Sequence, residues 1–209
     1  MTRYVVGNDL GTPNSAIAYA SVEEVREAER PVLHQLAVPQ LVAAGDLQSR
    51  SLLPSSMYLP AGFELREGDT ALPWAADNDV KSPVVGEAAK RLGAKTPVRL
   101  VESAKSWLCH GGVDRRAPIL PPNAPEEVPQ ISPLQASILY LEHLRDAWNA
   151  KHPDAPLEEQ EVVITVPASF DPAARELTAE AAREAGLEDM VLLEEPQAAL
   201  YSWLQSTDG

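Results

Sequence analysis

The chain has 209 residues, 44% hydrophobic and 23% charged, a balance that suits a soluble globular fold able to bury a real core in one domain or two small subdomains. With 17 Lys and Arg against 31 Asp and Glu the formal charge is −14, which repels nucleic acid and anionic lipid over most of the surface, so neither is an expected partner. No window approaches the roughly 18 uncharged apolar residues of a membrane span, and the apolar run after Met1 is too short for a secretory signal; a cytoplasmic location is expected.

Alternating apolar stretches at Tyr4 to Asp9 and Ser15 to Ala20, separated by Gly11-Thr12-Pro13-Asn14, predict a β-hairpin. Strand-like runs follow at Val32 to Val38 and Leu52 to Leu59, with Pro39 and Pro54 as punctuation. The acidic stretch from Gly62 to Pro83 has little periodicity and reads as a long loop. Helical patterns occupy "VGEAAKRLG" and "VRLVESAKSWLCHGG", the second stopped by Gly111-Gly112, and the proline-dense "RRAPILPPNAPEEVPQ" is a loop. The clearest helix opens at Ser132-Pro133 with Gln135 completing a capping box, and Leu134, Ile138, Leu141, Leu144 and Trp148 share one face. "EVVITVP" is apolar enough for a central strand covered on both sides. A helix then starts at Asp171-Pro172 and ends at Gly186, "VLLEEP" is a short strand, and "QAALYSWL" is the final helix. No repeat of solenoid period is present.

Four places in this pattern suit chemistry. Gly11, Thr12, Pro13 and Asn14 form a small-residue turn through which backbone N–H groups can approach phosphate oxygens, although turn chemistry alone is satisfied by a plain hairpin. Asp9 is an acid at the end of an apolar strand, costly unless paired or near a cation, which points to a metal–phosphate site. Lys105, in "ESAKSWL", reads from its own window as a solvated helix-face lysine. Glu194-Glu195-Pro196 closes a buried strand where ligands meet open α/β sheets, and equally suits a helix-start acid favoured by the macrodipole. Arg175 by itself is an exposed helix residue. His34, His110, His143 and His152 lack metal-ligand spacing, and the lone Cys109 reads as a small hydrophobe.

In order and residue type these windows resemble the ATPase domain of DnaK-type heat-shock chaperones. "VVGNDLGTPNSAIA" is similar to the family's first phosphate loop, and "VGEAAKRLG" and "ESAKSWL" to its next segments. "VVITVPASFDPAARELTAEAAREAGLEDMVLLEEPQAAL" matches its strand-helix-strand stretch nearly throughout. The match is poor from about Ala20 to Gly86 and from Gly111 to Pro129, as in a divergent member. The resemblance implies ATP or ADP with magnesium: Asp9 facing the metal, Gly11 to Asn14 wrapping the phosphates, Lys105 orienting the γ-phosphate and attacking water, and Glu195 beside that water. It also implies that Pro167 and Arg175 report nucleotide state to a substrate-binding domain. Two positions depart from the pattern: Asn8 stands for an apolar residue and Pro13 for a second hydroxyl residue.

The fold so implied is α/β: a ribonuclease H-like, actin-like ATPase subdomain from residues 1–35 and 130–209, with a smaller α/β subdomain inserted at 36–129. The sequence holds no second phosphate loop, adenosine motif or peptide-binding domain, so the expectation is the first lobe of a longer protein. In that protein ATP hydrolysis would be coupled to unfolded peptides and co-chaperones, while the isolated lobe would be inactive. The alternatives are a non-enzymatic actin-like scaffold or nucleotide-sensing module, and a sugar or glycerol kinase of the same superfamily, which shares the hairpin but has no reason to carry "ITVPASFD".

Overall fold

The structure, a computed structural model, describes residues 2–28, 31–66, 68–75 and 83–207. It is a mixed α/β architecture with three sheets. β1 (Tyr4–Leu10) and β2 (Asn14–Ser21) form the expected hairpin. A short helix that the sequence reading missed follows, α1 (Val22–Glu27), opened by a capping box in which Ser21 and Glu24 satisfy each other's backbone N–H. The run read as one strand over Val32 to Val38 divides into β3 (His34–Gln35), paired with β2, and the start of β4 (Val38–Ala43). Pro39 does not punctuate: it lies inside β4, which among the described residues pairs only with β5 (Asp46–Arg50), and such edge positions tolerate a missing donor. Gly45, with φ +68°, makes the β4–β5 turn.

Leu52 to Leu59 likewise splits at Ser55 into β6 (Leu53–Pro54), paired with β2, and β7 (Ser56–Tyr58), the middle strand of a second sheet. Of the predicted loop from Gly62 to Pro83, residues 67 and 76–82 lie outside the described residues, and the remainder is turns. β8 (Val84–Val85) pairs with β7, and α2 (Glu87–Gly93) follows as predicted. The predicted helix over "VRLVESAKSWL" is corrected. A 3-10 turn at Pro97–Arg99 leads into β9 (Leu100–Glu102), because Val101 is taken up by pairing with β7, and the α-helix is confined to α3 (Ala104–Leu108).

α4 (Pro133–Lys151) is capped by the Ser132 hydroxyl, which accepts from the Gln135 N–H at 2.9 Å, and all five of its predicted face residues are buried. β10 (Glu161–Val166) is central, between β1 and β11 (Val191–Glu194), and both contacts are parallel. Only one of its faces is fully covered: Val162, Ile164 and Val166 are buried, whereas Val163 and Thr165 are half-exposed. α5 (Pro172–Glu184) starts on the Asp171 cap and ends before Gly186, whose φ of +86° suits glycine. The last helix, α6 (Glu195–Ser206), buries none of its residues and leaves Leu200, Tyr201, Trp203 and Leu204 exposed.

The main sheet runs β11-β10-β1-β2-β3 with β6 beside β2. Its inward residues Val6, Ile17, Val162 and Ile164 form one core with Leu141, Leu144 and Trp148 of α4 and Leu177 and Ala181 of α5. A second cluster joins Leu41, Tyr58 and Val84 to Ala88 and Ala89 of α2. Because β1, β10 and β11 are mutually parallel, their C-terminal ends converge. Asp9 lies level with Thr165, and Val166 with Glu194, next to the hairpin turn and the start of α6. Ligands of open parallel sheets sit at such a strand edge.

Candidate functional site

Strand alternation decides the first two candidates. On β1 the inward positions are Val6, Asn8 and Leu10, so Asn8 is fully buried and Asp9 points outward into an exposed position. The expected burial cost of Asp9 is therefore not incurred; the buried polar side chain is its neighbour, and neither amide atom of Asn8 has a hydrogen-bond partner. Asp9 Oδ1 accepts from the Thr165 hydroxyl at 2.9 Å, which orients the carboxylate at the strand ends.

The Gly11–Asn14 turn is held from behind. Ser55, in the break between β6 and β7, donates its N–H to the Pro13 carbonyl at 2.8 Å and its hydroxyl to the Gly11 carbonyl at 2.6 Å. That hydroxyl's one proton is then committed, so Ser15 is the donor in the 2.9 Å contact between the two serine oxygens. Position 11 must be glycine, since a Cβ there would lie 2.3 Å from the Asn14 carbonyl oxygen. Sequence reasoning missed Ser55 because it sits inside an apolar run read as one strand; the available signal was a proline followed by two hydroxyl residues, which breaks strand alternation.

Lys105 is not a solvated lysine. Ala104 and Leu108 anchor α3 in the interior, and the Lys105 side chain is only 13% exposed, with Nζ 2.6 Å from Glu195 Oε1. The ammonium also lies 6.0 Å from the centre of the Phe170 ring. Glu195 is the first residue of α6, where the helix dipole favours a carboxylate. Around this pair is a cleft of about 330 Å³, lined by Thr12, Cys109, Pro167 and Phe170 among others. Thus Thr12, Lys105, Pro167 and Glu195, scattered over the sequence, share one cavity, and Ser169 and Phe170 join them unforeseen.

Other candidates stand outside the cleft. Arg175 pairs with Glu194, the residue before Glu195. Asn14 lines a separate hollow with Arg50 and Glu87. His143 is buried, donates Nε2–H to the Pro39 carbonyl at 2.9 Å, and has its pKa pushed down to about 4 by burial. Among the described residues no group of three or more His, Cys, Asp or Glu is arranged to hold a metal.

Comparison with known proteins converges on the same class. The profile of the family described as "Hsp70 protein" matches residues 84–206. The chain is 35% identical over 212 residues to a chaperone protein HscA homolog of Methylococcus capsulatus, and 34% identical over 209 residues to another of Polynucleobacter necessarius. It is 31% identical over 215 residues to the chaperone protein HscA of an Enterobacter species. Each alignment covers 96% of this chain and 28% of the relative. The chain belongs to the Hsp70 family. It spans less than a third of the length of these relatives.

Proposed function

We propose that this chain is the first lobe of an ATP-binding, ATP-hydrolysing chaperone, with residues 1–35 and 130–209 forming a ribonuclease H-like subdomain and 36–129 a smaller inserted one. The observation that carries the reading is the Lys105–Glu195 pair, at 2.6 Å with the lysine shielded and the glutamate open to solvent, in a cleft that also takes in Thr12 of the braced glycine turn. A lysine on a solvent-shielded wall is suited to a polyphosphate, whose charge outweighs one carboxylate and would draw the ammonium toward it.

The donor set fits magnesium carried on phosphate oxygens, an ion bound typically by one or two carboxylates plus phosphates. Asp9 would hold it, oriented by Thr165, and Asp9 Oδ1 lies only 3.6 Å from where a Cβ on Gly11 would sit, so the acid faces the turn. When bound, the ion neutralises phosphate charge. The chain's own residues do the rest: Gly11 to Asn14 bind phosphate, Lys105 orients the terminal phosphoryl group, and Glu195 holds a water in line. Catalysis of this kind is positioning and electrostatics. Arg175 and Pro167 would couple the site to a peptide-binding domain, a role favoured by the Arg175–Glu194 contact one residue from Glu195. The exposed apolar face of α6 suits a second ATPase lobe, and unfolded peptides and co-chaperones are the proposed further partners, in the cytoplasm.

In the longer protein, Lys105→Ala or Glu195→Ala should slow single-turnover ATP cleavage by about 10²-fold or more while ATP binding, followed by calorimetry, stays largely intact. Unchanged cleavage in both variants would favour a scaffold or nucleotide-sensing module, the reading to which Pro13, without an N–H to offer, lends support.

A further inference from the structure

The two walls of the cleft come from short segments far apart in the sequence. One wall is α3, five residues long, too short to be stable alone. The other is the connection from β10 to α5, residues 167–171, which carries Pro167 and Phe170. The Arg115 side chain joins them. It is 10% exposed and makes a bidentate contact with the half-exposed carboxylate of Asp171, at 3.2 Å to Oδ1 and 2.9 Å to Oδ2. Its Nε donates to the carbonyl of His110, just past α3, at 3.4 Å, and its own carbonyl accepts from Leu134 N in the first turn of α4 at 3.3 Å. Asp171 is the cap of α5, accepting from Ala174 N at 2.6 Å. Arg115 therefore touches the end of α3, the start of α4 and the start of α5 at once.

We propose that Arg115 is a positioning residue: its fork clamps the α3 wall to the 167–171 wall and so sets the gap across which Lys105 and Cys109 face Phe170. A bidentate guanidinium–carboxylate contact fixes both distance and angle, which a single flexible ammonium contact does not. The neighbouring pair, Arg116 with Glu180, also bridges this segment to α5 but lands well along the helix, away from the cleft, and Arg116 is 56% exposed. The inference rests on the cleft geometry and not on what fills it.

Cys109 makes the clamp testable without nucleotide. It is the protein's one cysteine, half-buried, lines the cleft from α3's end and packs against the cluster of Val166, Phe170 and Ala174 on the opposite wall. Releasing the clamp separates the thiol from Phe170 and exposes it. Asp171→Ser keeps a helix-capping hydroxyl but cannot pair with Arg115; Arg115→Gln removes the fork from the other side. Both variants of the 209-residue chain should react with N-ethylmaleimide about tenfold faster than wild type, the change expected for losing one bidentate charge pair from a local opening equilibrium. The acceleration in Arg115→Gln is diagnostic, because that variant leaves the Asp171 cap of α5 in place. Arg116→Gln should react at the wild-type rate. Wild-type rates in Asp171→Ser and Arg115→Gln, or equal acceleration in Arg116→Gln, would overturn the clamp. Neither outcome bears on ATP cleavage, so this inference and the proposed function can fail separately.

Discussion

Asn8 and Asp9 show how finely a site can depend on strand alternation. A shift of one residue would bury the acid and expose the amide; in the register present, Asp9 is free to serve the strand ends and Asn8 sits fully buried with both amide atoms unpartnered. A buried amide without partners costs on the order of 1–3 kcal/mol. Asn8→Val, which also suits a strand, is therefore expected to raise stability to urea unfolding by about that amount. A midpoint equal to or below wild type would mean that the amide has found a partner in solution.

The elements that build the site are short and depend on their surroundings. α3 begins after Ser103, whose φ of 55° places a non-glycine residue in the left-handed region. The chain turns there because Val101 must stay in the β7–β9 ladder while Ala104 and Leu108 enter the core. Ser103→Gly should relieve that conformation and raise the thermal midpoint, a gain of roughly 0.5–1 kcal/mol after the glycine's extra unfolded-state freedom is counted. A lower midpoint would show that the Ser103 side chain contributes more than its backbone costs. α4 stands at the opposite extreme: nineteen residues, a proline at its start, a hydroxyl cap and a buried stripe all agree, so its position follows from its own sequence.

At the scale of the whole molecule, burial of His143 makes stability depend on pH. The ring is 6% exposed, faces the Pro39 carbonyl and meets the edge of Trp74 at 5.1 Å between ring centres. Its pKa falls from 6.5 to about 4 because burial disfavours the charged form. The folded state thus binds this proton less readily than the unfolded state. The contribution is complete above about pH 6.5 and is lost as pH falls toward 4, a total of roughly 3 kcal/mol. Burial lowers the pKa of His152 as well, adding loss of the same sign. Urea unfolding from pH 7 to 4 should therefore show a steeper decline in wild type than in His143→Gln. Parallel curves would mean that His143 titrates normally in the fold.

Where an element's own residues satisfied its needs, the sequence was enough. The hairpin, α4, β10, α5 and the glycine turn were readable because caps, alternation and one-face periodicity are local signals. So was the Hsp70 resemblance, carried by stretches whose residues stay in order. The tertiary structure alone decided that Lys105 is shielded and paired, that Ser55 braces a turn 44 residues away, and that Arg115 meets Asp171 across 56 residues. It also decided that Leu100–Glu102 is strand where periodicity suggested helix. In each case the outcome depends on a partner distant in sequence: a ladder to join, a carbonyl to satisfy or an opposite charge in reach. No window of the chain contains both halves of such a contact.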